Sequence, residues 1–125
     1  MRKEERLQIS ISRYLKHQYP QVIFTAESSG IPLPIYLAKK AKAQRNPTKG
    51  LPDVWIAQPN TFYYGLFLEL KTKTPFLKSG KLSTNKHIRE QAKVLERLND
   101  LGYLAQFVWS FDMAKALIDD YLKNG

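Results

Sequence analysis

Hydrophobic residues recur at a helical spacing in three segments of the chain. Intervals of three and four residues place side chains on one face of a helix, which predicts three amphipathic helices. The predicted helices contain residues 3–17, 88–101 and 111–123. Ser83 or Thr84 is expected to cap the middle helix, and Gly102 is expected to end it. Ser110 is expected to cap the last helix.

Four shorter segments are rich in β-branched and aromatic residues, which favour strands. The predicted strands are residues 21–26, 53–58, 62–71 and 104–109. A turn at Pro59 and Asn60 joins the second and third strands into a hairpin. Residues 31–50 form either a short helix between prolines or a loop. The element order αβ(α)ββαβα over 125 residues predicts one α/β domain, residues 1–125, with a mixed central sheet flanked by helices.

The third predicted strand carries two charges on one face. Side chains alternate along a strand, so Phe67, Glu69 and Lys71 lie on one face while leucines lie on the other. Burying a carboxylate is costly unless a partner or a metal compensates, so Glu69 requires an explanation. One interpretation is an ion pair between Glu69 and Lys71 on a solvated face of an edge strand.

Asp53 favours a second interpretation of these charges. A hairpin turn centred near Thr61 places Asp53 roughly opposite Glu69. Two facing carboxylates repel each other, whereas a hard divalent cation between their oxygens removes the repulsion, and oxygen ligands favour Mg²⁺ or Mn²⁺. Lys71 can then orient or help deprotonate an attacking water, or stabilise charge on a phosphate oxygen. This combination indicates phosphodiester hydrolysis.

The net charge agrees with a nucleic-acid partner. Twenty Lys and Arg against 11 Asp and Glu give a formal charge of +9, an excess typical of proteins that bind a polyanion. One run without any acid is expected either to contact DNA phosphates or to form a solvated basic face. Its charged members are Lys39, Lys40, Lys42, Arg45 and Lys49.

Composition also excludes several classes of protein. The chain has no cysteine, which excludes a disulfide framework and a thiolate metal site. No apolar run approaches the roughly 20 residues of a membrane span, and the polar start lacks the apolar region of a signal peptide. A cytoplasmic location without a membrane partner is therefore expected.

Several sequence blocks resemble a known nuclease family. Pro52-Asp53, followed by Glu69-Leu70-Lys71 at the end of the next strand, matches the PD-(D/E)xK signature of the restriction-endonuclease-like superfamily, whose core has the order αβββαβ. The whole chain resembles, more narrowly, a stand-alone VRR-NUC domain, the virus-type replication and repair nuclease. The matching blocks are Glu4 to Gln8, Gly50 to Asp53, Glu69 to Lys71, and Gln91 leading to Gly102-Tyr103.

The resemblance implies a metal-dependent DNA endonuclease. Asp53 and Glu69, with the backbone carbonyl of Leu70, would bind Mg²⁺ or Mn²⁺, and Lys71 would serve the attacking water. It also implies a homodimer acting on branched or duplex DNA, with four-way junctions as the expected preference. The setting would be phage or bacterial replication, recombination or repair.

Two helical residues, Glu4 and Gln91, would complete the site according to the same resemblance. Glu5 competes with Glu4, but Glu4 shares the core-facing ridge with Leu7, whereas Glu5 lies nearer the flank. Gln91 lies within an apolar stripe, so it is expected to point inward and to hydrogen-bond a buried partner. Residues 84–90 separate Gln91 from the preceding Leu-Ser turn, a longer interval than many relatives have.

Two other functions remain as alternatives. A non-catalytic nucleic-acid-binding module would keep the fold, although it would not need the combination of Asp53, Glu69 and Lys71. An interaction protein with incidental charge would show no salt-dependent affinity for DNA, whereas phosphate contacts make affinity fall steeply with salt.

Overall fold

The computed structural model describes residues 2–26, 39, 40, 44 and 50–123. Within these ranges the regular elements are α1 (Lys3–Gln18), β1 (Phe24–Ala26), β2 (Val54–Ile56), β3 (Leu66–Leu70), α2 (Lys86–Asp100), β4 (Leu104–Val108) and α3 (Phe111–Lys123). None of the helices in residues 2–26 and 50–123 is long and apolar enough to cross a membrane.

The four strands form one mixed sheet in the order β1-β2-β3-β4. β2 pairs antiparallel with β1 and β3, whereas β3 and β4 are parallel. Parallel neighbours require a crossover connection, and α2 supplies it between β3 and β4. The predicted α/β architecture is confirmed. β3 lies inside the sheet, so the interpretation of its charges as an ion pair on an edge strand is wrong.

Two strands begin later than predicted because local hydrogen bonds turn the backbone before them. The third strand was expected over residues 62–71, but Asn60 Oδ1 accepts hydrogen bonds from the N–H groups of Phe62 (2.9 Å) and Tyr63 (2.8 Å). This local turn involves Asn60 to Tyr63, and the regular strand begins at Leu66. The first strand also begins later than predicted, because the N–H of Val22 donates a hydrogen bond to the Tyr19 carbonyl at 3.0 Å.

Helix ends follow the expected chemistry with one exception. Ser110 Oγ accepts the N–H of Met113 at 3.1 Å, so the predicted cap of α3 is confirmed. Gly102, with φ +102°, follows the end of α2 as expected. The cap of α2 is Asn85, whose Oδ1 accepts the N–H of Ile88 at 3.1 Å. The prediction of Ser83 or Thr84 there is wrong, since Asn is an equally good capping residue and lies closer to the helix.

The two faces of the sheet bury separate cores. On one face, α1 and α3 cover the leucines of β3, and the fully buried members include Ile11, Leu15, Leu66, Leu68 and Ile118. On the other face, α2 packs on a second cluster that contains Phe67, Leu95, Leu98, Ala105 and Phe107. The predicted alternation along β3 is therefore confirmed, and it leaves Glu69 on the face that α2 covers.

Candidate active site

The register of β2 and β3 brings Asp53 and Glu69 together. Val54 pairs with Leu68, so Asp53 and Glu69, one step further along the antiparallel pair, face each other. Asp53 Oδ2 accepts a hydrogen bond from the N–H of Leu70 at 2.8 Å. The side chains of Asp53 and Glu69 are also hydrogen-bonded to each other. The expected position of Asp53 opposite Glu69 is confirmed.

Glu69 is a buried carboxyl group beside another carboxyl group. Its side chain is 7% exposed, and its neighbour in β4, on the same face, is the apolar Phe107. Burial, followed by the hydrogen bond with Asp53 and the negative charge of Asp53, raises the pKa of Glu69 to about 10. Without a cation, the protonated form of Glu69 is therefore favoured.

Lys71 and Glu4 act on Glu69 through their charges. The positive charge of Lys71 lowers the pKa of Glu69, whereas the negative charge of Glu4 raises it further. Both residues therefore lie within electrostatic range of the buried carboxyl group. Lys71 is half-buried directly after β3, and its backbone N–H donates to the Val108 carbonyl at 2.9 Å.

The two acids at the start of α1 have different environments. Glu5 Oε2 accepts the backbone N–H of Arg2, the N-cap residue, at 3.4 Å and so satisfies an open N–H group at the helix start. Glu4 is the member of the pair that contributes charge at Glu69. The structure thus separates a glutamate that bonds to the start of its own helix from a glutamate whose charge reaches Glu69.

Gln91 lies on α2, the helix that covers the face carrying Glu69. Its side-chain oxygen Oε1 is buried and has no hydrogen-bond partner, so the buried partner expected from the sequence is absent from the part of the chain that the structure describes. A buried acceptor without a donor costs free energy, and such an atom commonly marks the place of a water or ligand. Gln91 Oε1 is therefore an available acceptor at this face.

The donor set fits a hard divalent cation with few protein ligands. Asp53 and Glu69 provide carboxylate oxygens, and Leu70 provides a backbone carbonyl between Glu69 and Lys71. No group of three or more His, Cys, Asp or Glu side chains in residues 2–26 and 50–123 is placed to hold a metal. Mg²⁺ is nonetheless commonly held by one or two carboxylates while it keeps several waters. A cation would also remove the repulsion that the raised pKa of Glu69 reflects.

The basic residues expected to contact DNA are described in part. Lys39 and Lys40 are exposed, whereas Lys42, Arg45 and Lys49 lie outside the described residues.

A second basic segment was missed by the sequence analysis: residues 70–89 contain six Lys and Arg and no Asp or Glu. That imbalance is visible in the sequence. A surface cavity of about 330 Å³ at its end is lined by Asn85, Lys86, His87 and Glu90, and none of these is a predicted catalytic residue.

The whole chain is similar to a solved structure. That structure is described as a "VRR_NUC domain protein", is 21% identical in sequence, and superposes with a TM-score of 0.66 over 100% of this chain and 92% of that chain. At this level of identity the likeness establishes that the two chains share a fold, which agrees with the fold expected from the sequence. No family model matches the sequence, and no curated protein matches it.

Proposed function

We propose that this protein is a nuclease that hydrolyses phosphodiester bonds of DNA with the help of a divalent cation. The observation that carries the proposal is the pair of facing carboxyl groups, the half-buried Asp53 and the buried Glu69, with Lys71 next on the same face. A purely structural role would give no reason to hold Asp53 and Glu69 together, because their closeness opposes the ionisation of one of them. The VRR-NUC fold and the formal charge of +9 support the same function.

The cation proposed for this site is Mg²⁺ or Mn²⁺. Asp53, Glu69 and the backbone carbonyl of Leu70 would hold it, and Glu69 would release its proton on binding. A bound cation of this kind supplies polarisation of the scissile phosphate and lowers the pKa of a bound water. Because Glu69 must lose a proton, affinity for the cation should rise with pH.

The remaining site residues would act on water and charge. Lys71 would orient the attacking water or stabilise negative charge on a phosphate oxygen. Gln91 Oε1, which lacks a donor, would accept a hydrogen bond from a water in the site. Glu4 would increase the attraction of the site for a cation through its negative charge.

The proposed substrate is branched DNA, with a four-way junction as the preferred form, and the proposed active species is a homodimer. Two copies of a small domain provide two sites, which is the simplest way to cut two strands. Both points rest on the resemblance of the sequence blocks to stand-alone VRR-NUC domains. The basic run that contains Lys39 and Lys40 is proposed to contact the DNA backbone.

Cleavage of labelled DNA tests the nuclease proposal. Duplex, flap and four-way junction substrates are incubated with Mg²⁺ or Mn²⁺ and with the wild type, Asp53→Asn or Lys71→Ala. We expect cation-dependent cutting by the wild type and a loss of cutting in both variants, because each variant removes a charge from the site. EDTA should abolish the activity. Equal cutting by wild type and variants would place the activity elsewhere or in a contaminant.

A non-catalytic DNA-binding module is the second candidate. It is favoured by one observation, the absence of a cluster of three acidic or histidine side chains in the described part of the chain. This candidate predicts salt-dependent binding to the same DNA panel without cutting of any substrate.

A further inference from the structure

A hairpin that follows β3 presents an exposed leucine and two exposed lysines. We propose that this basic hairpin, residues 75–83, docks on DNA beside the cleavage site. Lys78 and Lys81 contact phosphates, and Leu77 packs against the sugars and base edges between them. The inference rests on the proposed nuclease function and extends it by identifying an element that holds the substrate.

The basic hairpin is closed by backbone hydrogen bonds. Ser83 N–H donates to the Pro75 carbonyl at 2.9 Å, and Leu77 N–H donates to the Lys81 carbonyl at 2.7 Å. Gly80 has φ +88°, a conformation that glycine adopts without strain and that lets the tip turn sharply. Because these bonds fix the backbone, binding would require little ordering of the tip.

Phe76 anchors the basic hairpin on the face of the sheet that carries the acids. The centroid of its ring lies 6.4 Å from that of Phe107 and 6.0 Å from that of Trp109, in edge-to-face contacts. Phe107 is the β4 neighbour of Glu69, and neighbouring strands are about 4.8 Å apart. The base of the hairpin is therefore packed close to the candidate active site.

Chain length also limits the distance between the basic hairpin and the site. Pro75 follows Lys71 by four positions, and an extended chain covers about 3.5 Å per residue, so the hairpin begins within about 14 Å of Lys71. One DNA strand advances about 3.4 Å per nucleotide along its axis, which makes this distance about four nucleotides. A strand bound at Lys71 thus passes the hairpin within a few phosphates.

The charge around the basic hairpin suits DNA. Lys78 and Lys81 are exposed, and they belong to the segment 70–89, in which six cationic residues occur without an acid. Each phosphate that such a residue neutralises releases condensed counterions, which favours binding at low salt. The wider segment would follow the backbone on either side of the scissile bond.

Leu77 gives the basic hairpin its apolar contact. Its side chain is 49% exposed, and its backbone N–H bonds to Lys81 across the turn. Single exposed leucines are common on protein surfaces, but this one directly precedes Lys78 and is bonded across the turn to Lys81, so it approaches a polyanion on the same short element as the two lysines. Proteins that bind the minor groove place leucine or phenylalanine in this way against base steps, where the side chain can also wedge the bases apart.

Salt dependence of DNA binding separates the phosphate contacts from the apolar contact. The measurement is fluorescence anisotropy of a labelled duplex and a labelled four-way junction at several salt concentrations, with EDTA present to prevent cleavage. In Lys78→Ala/Lys81→Ala we expect the slope of log affinity against log salt to become about two units shallower, because each phosphate that a lysine neutralises adds about 0.9 to that slope. Leu77→Ser should weaken binding several-fold at every salt concentration and leave the slope unchanged.

Matched controls remove the same charge and the same side chain elsewhere. Lys16→Ala/Lys123→Ala removes two exposed lysines from the last turns of α1 and α3, which pack on the opposite face of the sheet. Leu101→Ser replaces a leucine that is 58% exposed beyond the far end of α2. Both controls should bind DNA much as the wild type does.

Each outcome bears on a separate claim. If the hairpin lysine variant keeps the wild-type slope, or changes it no more than its control does, the phosphate contacts are overturned. An unchanged affinity of Leu77→Ser would overturn the apolar contact. In both cases cation-dependent cleavage by the wild type would leave the nuclease proposal intact. Failure of the wild type to bind DNA or to cut it would overturn the nuclease proposal and the hairpin proposal together.

Discussion

Glu69 and Asp119 are both carboxyl groups at packed positions, but their neighbours act on them in opposite directions. Asp119, on α3, accepts hydrogen bonds from Tyr14 Oη (2.5 Å), Tyr19 Oη (2.6 Å) and Lys115 Nζ (3.2 Å). These donors, the two tyrosines first, lower the pKa of Asp119 to about 2. Glu69 is surrounded by apolar groups and another carboxyl group, which raise its pKa to about 10.

These two groups contrast a carboxylate whose charge the fold stabilises with one whose charge the fold opposes. Asp119 receives three donors, so its ionised form is stabilised within the protein, and it ties α1 to α3. The ionised form of Glu69 is destabilised, and a proton or a cation must compensate for it. A group that the fold leaves in this condition offers a binding site for a cation, and this is the physical basis of the proposed nuclease site.

Among substitutions of Glu69 and Asp119, Glu69→Gln should cause the largest loss of DNA cleavage. The amide resembles the protonated carboxyl group in shape, but it carries no charge that can hold a cation. We expect DNA cleavage with Mn²⁺ to fall by about 10²–10³-fold or more, as happens when one preorganised charged or polar group is removed from an active site. Stability to urea without cations should be equal to or greater than that of the wild type. Full activity in this variant would remove Glu69 from the mechanism.

Asp119→Asn should give the reverse result, a loss of stability with activity retained. The amide keeps the shape of the carboxylate but weakens the bonds from Tyr14 and Tyr19, and a hydrogen bond to a charged group contributes about 1.5–3 kcal/mol. We therefore expect the free energy of unfolding, measured by urea titration, to fall by about 1–3 kcal/mol.

Asp100→Asn is the control for that variant, because Asp100 is exposed at the end of α2. Its stability should stay within about 0.5 kcal/mol of the wild type. If Asp119→Asn were as stable as this control, the tyrosine contacts would contribute nothing to the fold. A loss of cleavage without a loss of stability would instead link Asp119 to the site.

The sequence predicted the position of Glu69 much better than the contacts of Asp119. The facing position of Asp53 and Glu69 follows from the two-residue period of a strand and a turn a few residues long, both of which are local. Asp119 bonds to tyrosines 100 and 105 positions away, and no local pattern encodes such a contact. The cap of α2 was missed for a different reason, since Ser83, Thr84 and Asn85 all have capping side chains and the helix start depends on packing.

Glu69 and Asp119 should also change the free energy of unfolding in different pH ranges when no cation is present. Folded Glu69 keeps its proton up to about pH 10, whereas the unfolded chain loses it near pH 4.5. The folded state thus binds more protons than the unfolded state, so the free energy of unfolding of the wild type should fall as the pH rises. Relative to Glu69→Gln, this fall should be at most about 1.4 kcal/mol per pH unit. Folded Asp119 titrates near 2 and its unfolded form near 3.8, so its contribution is complete above that range and is lost as the pH falls towards 2.

Urea titrations in EDTA from about pH 3 to about pH 9 distinguish these two trends. The stability difference between wild type and Glu69→Gln should change steadily above pH 4.5. The difference between wild type and Asp119→Asn should be constant there and should shrink below pH 3.8. Addition of Mn²⁺ should reverse the first trend, because the cation replaces the proton on Glu69 more readily as the pH rises. A constant difference for Glu69→Gln over the whole range would mean that Glu69 ionises normally, and the contrast with Asp119 would then not hold.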